Sequence, residues 1–159
     1  MKFIVRDAAV ADYIAIGKLN LEVHNLHVEN RPDVYVDTDA PFLKEYFNDL
    51  LNSESTKVLV VENTDNKELA AYSIVKIMST PSIPVLIPRK IAFIDDFCVK
   101  SDCKKKGIGR LLFQHIIDYV KTEGVSSLQL VVWEFNKDAI GFYEAMGMSA
   151  RNRRMEIDL

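Results

Sequence analysis

The sequence predicts a mixed α+β fold with one central sheet, on three observations. First, 159 residues are enough to bury a substantial core in one domain, residues 1–159. Second, apolar residues make up 48% of the chain and charged residues 27%, so a disordered chain is excluded. Third, short β-rich runs alternate with segments of helical periodicity in the order β-α-α-β-β-β-α-β-α-β.

The first half of the chain predicts one strand, two helices and a hairpin. Residues 3–6 alternate as a short strand does, and Asp12 is the expected N-cap of the first helix. Pro41 is expected in the first turn of the second helix. The runs 57–61 and 69–78 flank a polar turn and predict a hairpin. The first helix carries a rough apolar stripe of Ile14, Ile16, Leu19, Val23 and Leu26.

The second half begins with an exposed loop, because three prolines between residues 81 and 88 cannot donate ladder hydrogen bonds. The clearest helix of the chain begins after Gly107 and ends at Gly124, and a later helix is closed by Gly147. The predicted strands are 91–99, 128–133 and 154–159, and the last predicted helix is 136–146.

A cationic loop between the strand that ends at Val99 and the next helix predicts an anion site. Unpaired N–H groups and the positive end of the helix dipole favour phosphate at such a position. Gly107 and Gly109 would let a ligand approach the backbone closely. No Lys-Ser/Thr pair follows the second glycine, and Leu112 occupies the place of a third glycine, so neither a P-loop nor a dinucleotide fingerprint fits. The surrounding cations are Lys104, Lys105, Lys106 and Arg110.

Two motifs in this order resemble the GCN5-related N-acetyltransferase (GNAT) superfamily. Residues 104–109 read Lys-Lys-Lys-Gly-Ile-Gly and are similar to its acetyl-coenzyme A loop, Gln/Arg-x-x-Gly-x-Gly/Ala, with Lys104 replacing Gln or Arg. Residues 136–148 are similar to its second block, Asn-x-x-Ala-x-x-x-Tyr-x-x-x-Gly-Phe, with Met148 replacing the final aromatic residue. The resemblance implies a mostly antiparallel sheet flanked by helices, and transfer of an acetyl group from acetyl-coenzyme A to a primary amine.

The resemblance also implies which residues hold acetyl-coenzyme A. Backbone groups of Phe97 and Val99 are expected to pair with the extended pantetheine arm where the central strand separates from its neighbour. Asn136 is expected either to bond the cofactor or only to cap its helix. No metal is expected. The expected cofactor-binding set is Phe97, Cys98, Val99, Lys104, Lys105, Lys106, Gly107, Ile108, Gly109, Arg110, Asn136 and Tyr143.

Tyr143 occupies the position of the superfamily's tyrosine and is the expected general acid, because a neutral phenol can protonate a departing thiolate. For the base, residues 95–102 read Asp-Asp-Phe-Cys-Val-Lys-Ser-Asp and are similar to the central strand of diamine acetyltransferases. This similarity gives Asp95 the role of base, acting through a bridging water. Asp95 and Asp96 are expected to point to opposite faces of the strand. A carboxylate that merely holds a neighbouring loop is the alternative.

His24 and His27 supply a second candidate base. Their i,i+3 spacing places them on one face of the first helix, which by family analogy overhangs the acceptor site. His27 is the one assigned to the catalytic set with Tyr143 and Asp95. Surface or capping histidines are the alternative.

Composition narrows the partners and the compartment. The net charge of −3 argues against general nucleic-acid binding, and no apolar run reaches the ~20 residues of a membrane span, so neither partner is expected. Cys98 and Cys103 form no Cys-x-x-Cys motif and the first residues do not read as a signal peptide, which together predict a reducing cytoplasm. Cys103, in the cationic loop, could have a depressed thiol pKa.

The expected acceptor is a small molecule or a peptide with a primary amine, and the diamine-like strand favours a small cationic amine. A coenzyme A-binding sensor or regulatory module without turnover is the alternative function. The oligomeric state stays open, with a homodimer among the arrangements that the resemblance implies.

Overall fold

The computed structural model describes residues 2–159 and contains a five-stranded sheet with helices on both faces. The strands are β1 (Phe3–Asp7), β2 (Thr56–Asn63), β3 (Leu69–Ser79), β4 (Lys90–Val99) and β5 (Ser127–Leu130). The helices are α1 (Tyr13–Asn30), α2 (Lys44–Asn52), α3 (Ile108–Thr122) and α4 (Lys137–Ala145), with short 3-10 turns at Val10–Asp12 and Ser101–Cys103.

The sheet runs in the order β1-β2-β3-β4-β5, with antiparallel pairing everywhere except between β4 and β5, which are parallel. The mixed α+β class with a mostly antiparallel sheet is therefore confirmed. Parallel strands need a long crossover connection, and α3 provides it between β4 and β5.

Alternating side chains of the strands form two cores, one on each face of the sheet. Leu59 and Val61 of β2 pack on the face covered by α3 and α4, together with Ile108, Leu112 and Ile116 of α3. Their neighbours in β2 pack on the opposite face, which α1 and α2 cover. The buried residues of that second core include Ile16, Leu19, Phe42, Phe47, Val58, Val60, Tyr72, Ile74 and Cys98.

A β-bulge in β4 overturns the expectation that Asp95 and Asp96 point to opposite faces. Ile94 pairs with Val75 and Asp96 pairs with Ile74, which leaves Asp95 as the extra residue. Asp96 bonds Tyr72 on the α1/α2 face, and Asp95 forms an ion pair with Lys76. Because Val75 and Ile77 pack on the α3/α4 face, Lys76 between them lies on the α1/α2 face as well. Both carboxylates therefore share one face.

Two helix starts differ from the prediction. The Asp12 side chain makes no cap bond to α1; it accepts from Ala9 N at 2.7 Å and from Arg6 Nη1 at 2.8 Å, and so closes the turn before the helix. Pro41 lies outside α2, which begins at Lys44. The carbonyl of buried Phe42 accepts a 2.8 Å hydrogen bond from the Tyr13 hydroxyl, which holds this segment extended up to Leu43.

The predicted final strand at 154–159 is wrong. Residues 149–159 have no secondary structure, are exposed, and pair with no strand of the sheet. The predicted helix ends are confirmed at Gly124 and Gly147, which have φ of 71° and 98°, a left-handed conformation that favours glycine.

Candidate functional site

The loop before α3 presents an unneutralised cationic surface at a helix N-terminus. Gly107 has φ of 80° and precedes the first turn, and no side chain caps that turn. The intrahelical ladder starts with the Leu111 N–H, which donates to Gly107 O at 3.0 Å, so the N–H groups before it are available to an anion. The side chains of Lys104, Lys105, Lys106 and Arg110 are exposed, and within residues 2–159 none of them forms an ion pair.

Gly109 has a second reason to lack a side chain. A Cβ at this position would lie 3.1 Å from Cε1 and 3.2 Å from Cζ of Phe142, closer than nine in ten Cβ contacts in proteins. The glycine thus allows α4 to pack directly against the first turn of α3. At Gly107 a Cβ would meet nothing within 4 Å, and its left-handed φ is what favours glycine there.

β4 and β5 separate halfway along β4. Their pairing covers Ile91 to Ile94 of β4 and ends at Leu130 of β5. Beyond this pairing, Lys100 N donates a hydrogen bond to the carbonyl oxygen of Ala70 in β3. Lys100 and, two residues earlier, Cys98 therefore direct their backbone groups toward β3. The backbone groups of Phe97 and Val99 therefore point to the open side. This is the edge where the resemblance leads us to expect an extended ligand to pair, whereas the Cys98 backbone is directed toward β3.

Tyr143 lies on α4 at this opening. Its ring packs edge-on against Phe97, with 6.0 Å between centroids, and against Phe142. Burial raises the pKa of Tyr143, helped by the nearby Cys98 thiol and Asp96 carboxyl, so the phenol stays protonated through the neutral range. The part of the chain that the structure describes gives this hydroxyl no hydrogen-bond partner, and it is not an orphaned buried atom either. It can therefore donate to a ligand.

Asn136 caps α4: its Oδ1 accepts from Ala139 N at 3.3 Å.

The two cysteines do not offer reactive thiolates. Burial raises the pKa of Cys98 to about 12, and its thiol donates to Leu19 O at 3.3 Å. Burial and the neighbouring Asp102 carboxylate also raise the pKa of Cys103, so the expectation of a depressed pKa there is wrong.

Asp95 and Asp96 differ sharply in environment. Asp95 is partly exposed, and its Oδ2 lies 2.6 Å from Nζ of Lys76. Asp96 is largely buried, accepts from the Tyr72 hydroxyl at 3.0 Å, and lies next to Asn20 of α1. Burial raises the pKa of Asp96 to about 6. The sequence similarity singled out Asp95; the poised carboxyl at Asp96 was missed, because only its surroundings, not its residue type, distinguish it.

His24 and His27 belong to an aromatic cluster at the C-terminal end of α1. His27 stacks on Tyr35 at 4.9 Å and meets Phe135 edge-on at 5.9 Å. Burial, together with His24, lowers the pKa of His27, so its ring is neutral at neutral pH. His24 Nε2 donates to Val36 O at 2.6 Å, a structural contact. Trp133 completes the cluster by donating to the Tyr35 hydroxyl at 2.8 Å.

Among residues 2–159, no three His, Cys, Asp or Glu side chains are grouped so as to hold a metal ion. No helix within these residues has both the length and the apolarity needed to cross a bilayer.

Comparison with known proteins gives a consistent set of relatives. Residues 20–148 match the family model described as acetyltransferase (GNAT) family. The chain is 25% identical over 123 residues to the ribosomal protein bS18-alanine N-acetyltransferase of Escherichia coli K12, which covers 77% of this chain and 71% of that protein. It is 24% identical over 109 residues to the L-ornithine N5-acetyltransferase of Arabidopsis thaliana, covering 68% of this chain and 46% of that protein.

Solved structures agree in fold. A crystal structure of a mutant BH1408 protein from Bacillus halodurans superposes with a TM-score of 0.95 at 34% identity, covering 98% of this chain and 99% of that one. The ribosomal-protein-alanine N-acetyltransferase of Brucella melitensis superposes with a TM-score of 0.73 at 18% identity and covers 100% of both chains, which speaks to the fold alone.

Proposed function

The chain belongs to the acetyltransferase (GNAT) family, and from this premise we propose that it is an N-acetyltransferase that moves an acetyl group from acetyl-coenzyme A directly to a primary amine. The observation that carries the proposal is the open edge of β4 at Phe97 and Val99. The first turn of α3 lies beside this edge, since a Cβ built at Gly109 would be 3.5 Å from Cγ2 of Val99, and the Tyr143 ring packs against Phe97.

The residues present suit acetyl-coenzyme A as the acyl-donor substrate. The α3 N-terminus would receive the pyrophosphate through its free N–H groups, with the surrounding lysines and Arg110 adding charge. The backbone of Phe97 and Val99 would pair with the extended pantetheine amides. Asn136 would contact the donor in addition to its observed cap bond. The donor supplies an activated thioester, which these residues hold and orient.

The chain's own groups would then move the protons. A carboxylate first accepts one proton from the ammonium group, so that the nitrogen attacks as a neutral amine. As this nitrogen bonds to the acyl carbon and the carbon–sulfur bond breaks, the Tyr143 hydroxyl donates its proton to the departing sulfur, and the second proton that the nitrogen loses returns to the Tyr143 oxygen. Asp95 is the base that the strand similarity assigns, through a bridging water. Asp96 is better poised, because its pKa of about 6 lies near working pH. His27, neutral within its ring cluster, is the third candidate.

We propose a small cationic amine as the acceptor. Two carboxylates on the α1/α2 face of β4 support a positively charged substrate, and the similarity to an ornithine acetyltransferase points the same way. A peptide N-terminus is the competing acceptor, which the similarity to the ribosomal-protein alanine acetyltransferase favours. The free cysteines, Cys98 and Cys103, support a reducing, cytoplasmic setting.

The decisive test measures thiol release from acetyl-coenzyme A with diamines, polyamines, ornithine and peptides that begin with alanine. We expect amine-dependent release, fastest with a small cationic amine and reduced in Tyr143→Phe. Thiol release with peptides alone would show that the acceptor is a peptide N-terminus and not a small cationic amine. Binding of acetyl-coenzyme A without release from any acceptor would instead support a sensor or regulatory module.

A further inference from the structure

Lys76 of β3 places a positive charge beside the two carboxylates of β4. Its Nζ lies 2.6 Å from Oδ2 of Asp95, and the two side chains are 34% and 27% exposed, so the pair is open to a ligand. The contact with Asp95 raises the pKa of the Lys76 ammonium against the opposing effect of burial, and the group stays positively charged. Because the pair has no net charge, Asp96 is the uncompensated carboxylate of this face.

Tyr46 of α2 adds a second hydrogen-bond donor at the same place. Burial raises the pKa of its partly exposed hydroxyl, the charge of Lys76 opposes this, and the charges of both carboxylates add to it. The hydroxyl is therefore protonated and lies within electrostatic reach of the pair. Within residues 2–159 it makes no hydrogen bond, and Lys76 forms no ion pair other than that with Asp95. Both groups can donate to a ligand.

Two donors beside a carboxylate suit a ligand that carries charges of both signs. An ammonium group has three N–H donors, so Lys76 can keep Asp95 and still bind a carboxylate. Asp96 pairs with Ile74, two residues from Lys76, which separates the two positions by about 7 Å along the strand. The side chain of a free diamino acid spans such a distance. A diamine would instead bring its second ammonium group against Lys76, and like charges repel.

We propose that Lys76 determines which acceptor is used: with the Tyr46 hydroxyl it binds a carboxylate of the acceptor, whose reacting amine lies beside Asp96. The acceptor is then a small diamino acid, a cationic amine that also carries a carboxylate. This inference rests on the proposed acetyl transfer and narrows its acceptor. The transfer itself is unchanged: the bond from nitrogen to the acyl carbon forms, the carbon–sulfur bond breaks, and the thiol leaves.

The first test compares acceptors that differ only in the carboxylate. Thiol release from acetyl-coenzyme A gives kcat/KM for free ornithine and lysine, and for putrescine and cadaverine, the corresponding diamines. We expect the wild type to prefer the diamino acids about tenfold, as hydrogen bonds to a charged group would give. The amides of ornithine and lysine keep the size without the negative charge and should lose this preference. Equal use of diamino acids and diamines overturns the proposal.

Lys76→Gln should reverse the preference. KM for the diamino acids is expected to rise about tenfold, because the charged donor is lost. KM for the diamines is expected to fall, because Asp95 loses its cation and can receive an ammonium group. A damaged fold would weaken both, so opposite changes identify a specificity role. Lys57→Gln is the matched control, since Lys57 is 32% exposed and pairs with Asp7, and it should change neither KM.

Tyr46→Phe keeps the ring contact with Phe42 and removes the second donor. KM for the diamino acids should rise about threefold, with that for the diamines unchanged. An unchanged KM for the diamino acids would overturn the role of Tyr46.

Failure of this inference is distinguishable from failure of the proposed function. Release with both acceptor classes, changed equally or not at all in Lys76→Gln, keeps the acetyltransferase and overturns the carboxylate site. No release with any acceptor overturns the acetyltransferase and this inference with it.

Discussion

The hydroxyl of Tyr72 donates a 3.0 Å hydrogen bond to Oδ2 of Asp96, and the same hydroxyl accepts a 2.9 Å bond from the side chain of Asn20. The arrangement fixes the Asp96 carboxyl beside α1 without any cation in direct contact. Burial outweighs these bonds, so the pKa of Asp96 rises to about 6. This carboxyl therefore changes its charge close to neutral pH.

Activity should rise with pH as Asp96 ionises. If Asp96 accepts the ammonium proton, kcat/KM increases through about pH 6 in the wild type, because only the carboxylate can act as a base. In Asp96→Asn, kcat is expected to fall about a hundredfold or more, and the acidic limb of the pH–rate profile is expected to disappear. Asp95→Asn is the matched control and should keep that limb. The reverse pattern, with the limb lost only in Asp95→Asn, would give the base role to Asp95.

Stability should depend on the same carboxyl. The folded-state pKa of about 6 lies above the ordinary 3.8, so the stability that Asp96 contributes is complete below pH 3.8 and is lost as pH rises through 6. A gap of about two pH units corresponds to about 3 kcal/mol. In urea unfolding, the free energy of unfolding of the wild type should fall by about this much, relative to that of Asp96→Asn, as the pH rises from acidic to neutral. An unchanging difference between the two proteins would contradict the raised pKa.

Removal of one oxygen tests the general acid. Tyr143→Phe keeps the ring contacts with Phe97 and Phe142, so the melting temperature should change little. The loss of proton donation to the departing thiolate should lower kcat about a hundredfold, with KM for acetyl-coenzyme A nearly constant. Tyr72→Phe is a contrasting variant, since it removes the bond to Asp96 instead and should shift the pH profile. An unchanged kcat in Tyr143→Phe would show that Tyr143 does not act as the acid.

The sequence predicts the fold better than it predicts the positions of the two carboxylates of β4. Periodicity and glycine positions find α3, α4 and the strand between them because these signals are local. The bulge at Asp95 is set by how β3 and β4 meet, which no local pattern reports, and it reverses which face the following residues occupy. Likewise, residues 154–159 have a strand's alternation but pair with no strand of the sheet, and a local alternation cannot report whether a partner strand is met.

The lysines before α3 should affect donor binding more than turnover. Replacing Lys104, Lys105 and Lys106 together by Gln removes exposed charge around the helix N-terminus, so KM for acetyl-coenzyme A should rise several-fold with kcat little changed. The effect should shrink as salt is raised, because exposed charges are screened. Lys44→Gln with Lys121→Gln, two exposed lysines elsewhere, is the control and should leave KM unchanged. An equal rise in the control would point to net charge rather than to this loop.

Two glycine substitutions separate packing from helix propensity. In Gly109→Ala the new Cβ would lie 3.1 Å from Phe142 Cε1, so the Phe142 ring must move by a few tenths of an ångström. We expect a loss of about 1–3 kcal/mol in the free energy of unfolding and weaker donor binding, because the Phe142 ring packs against Tyr143. Gly141→Ala lies within α4 with nothing within 4 Å of its Cβ, and should gain about 0.5–1 kcal/mol. Urea unfolding of both variants is the measurement. Equal stability changes in the two would mean that the contact between Gly109 and Phe142 does not control how α4 packs.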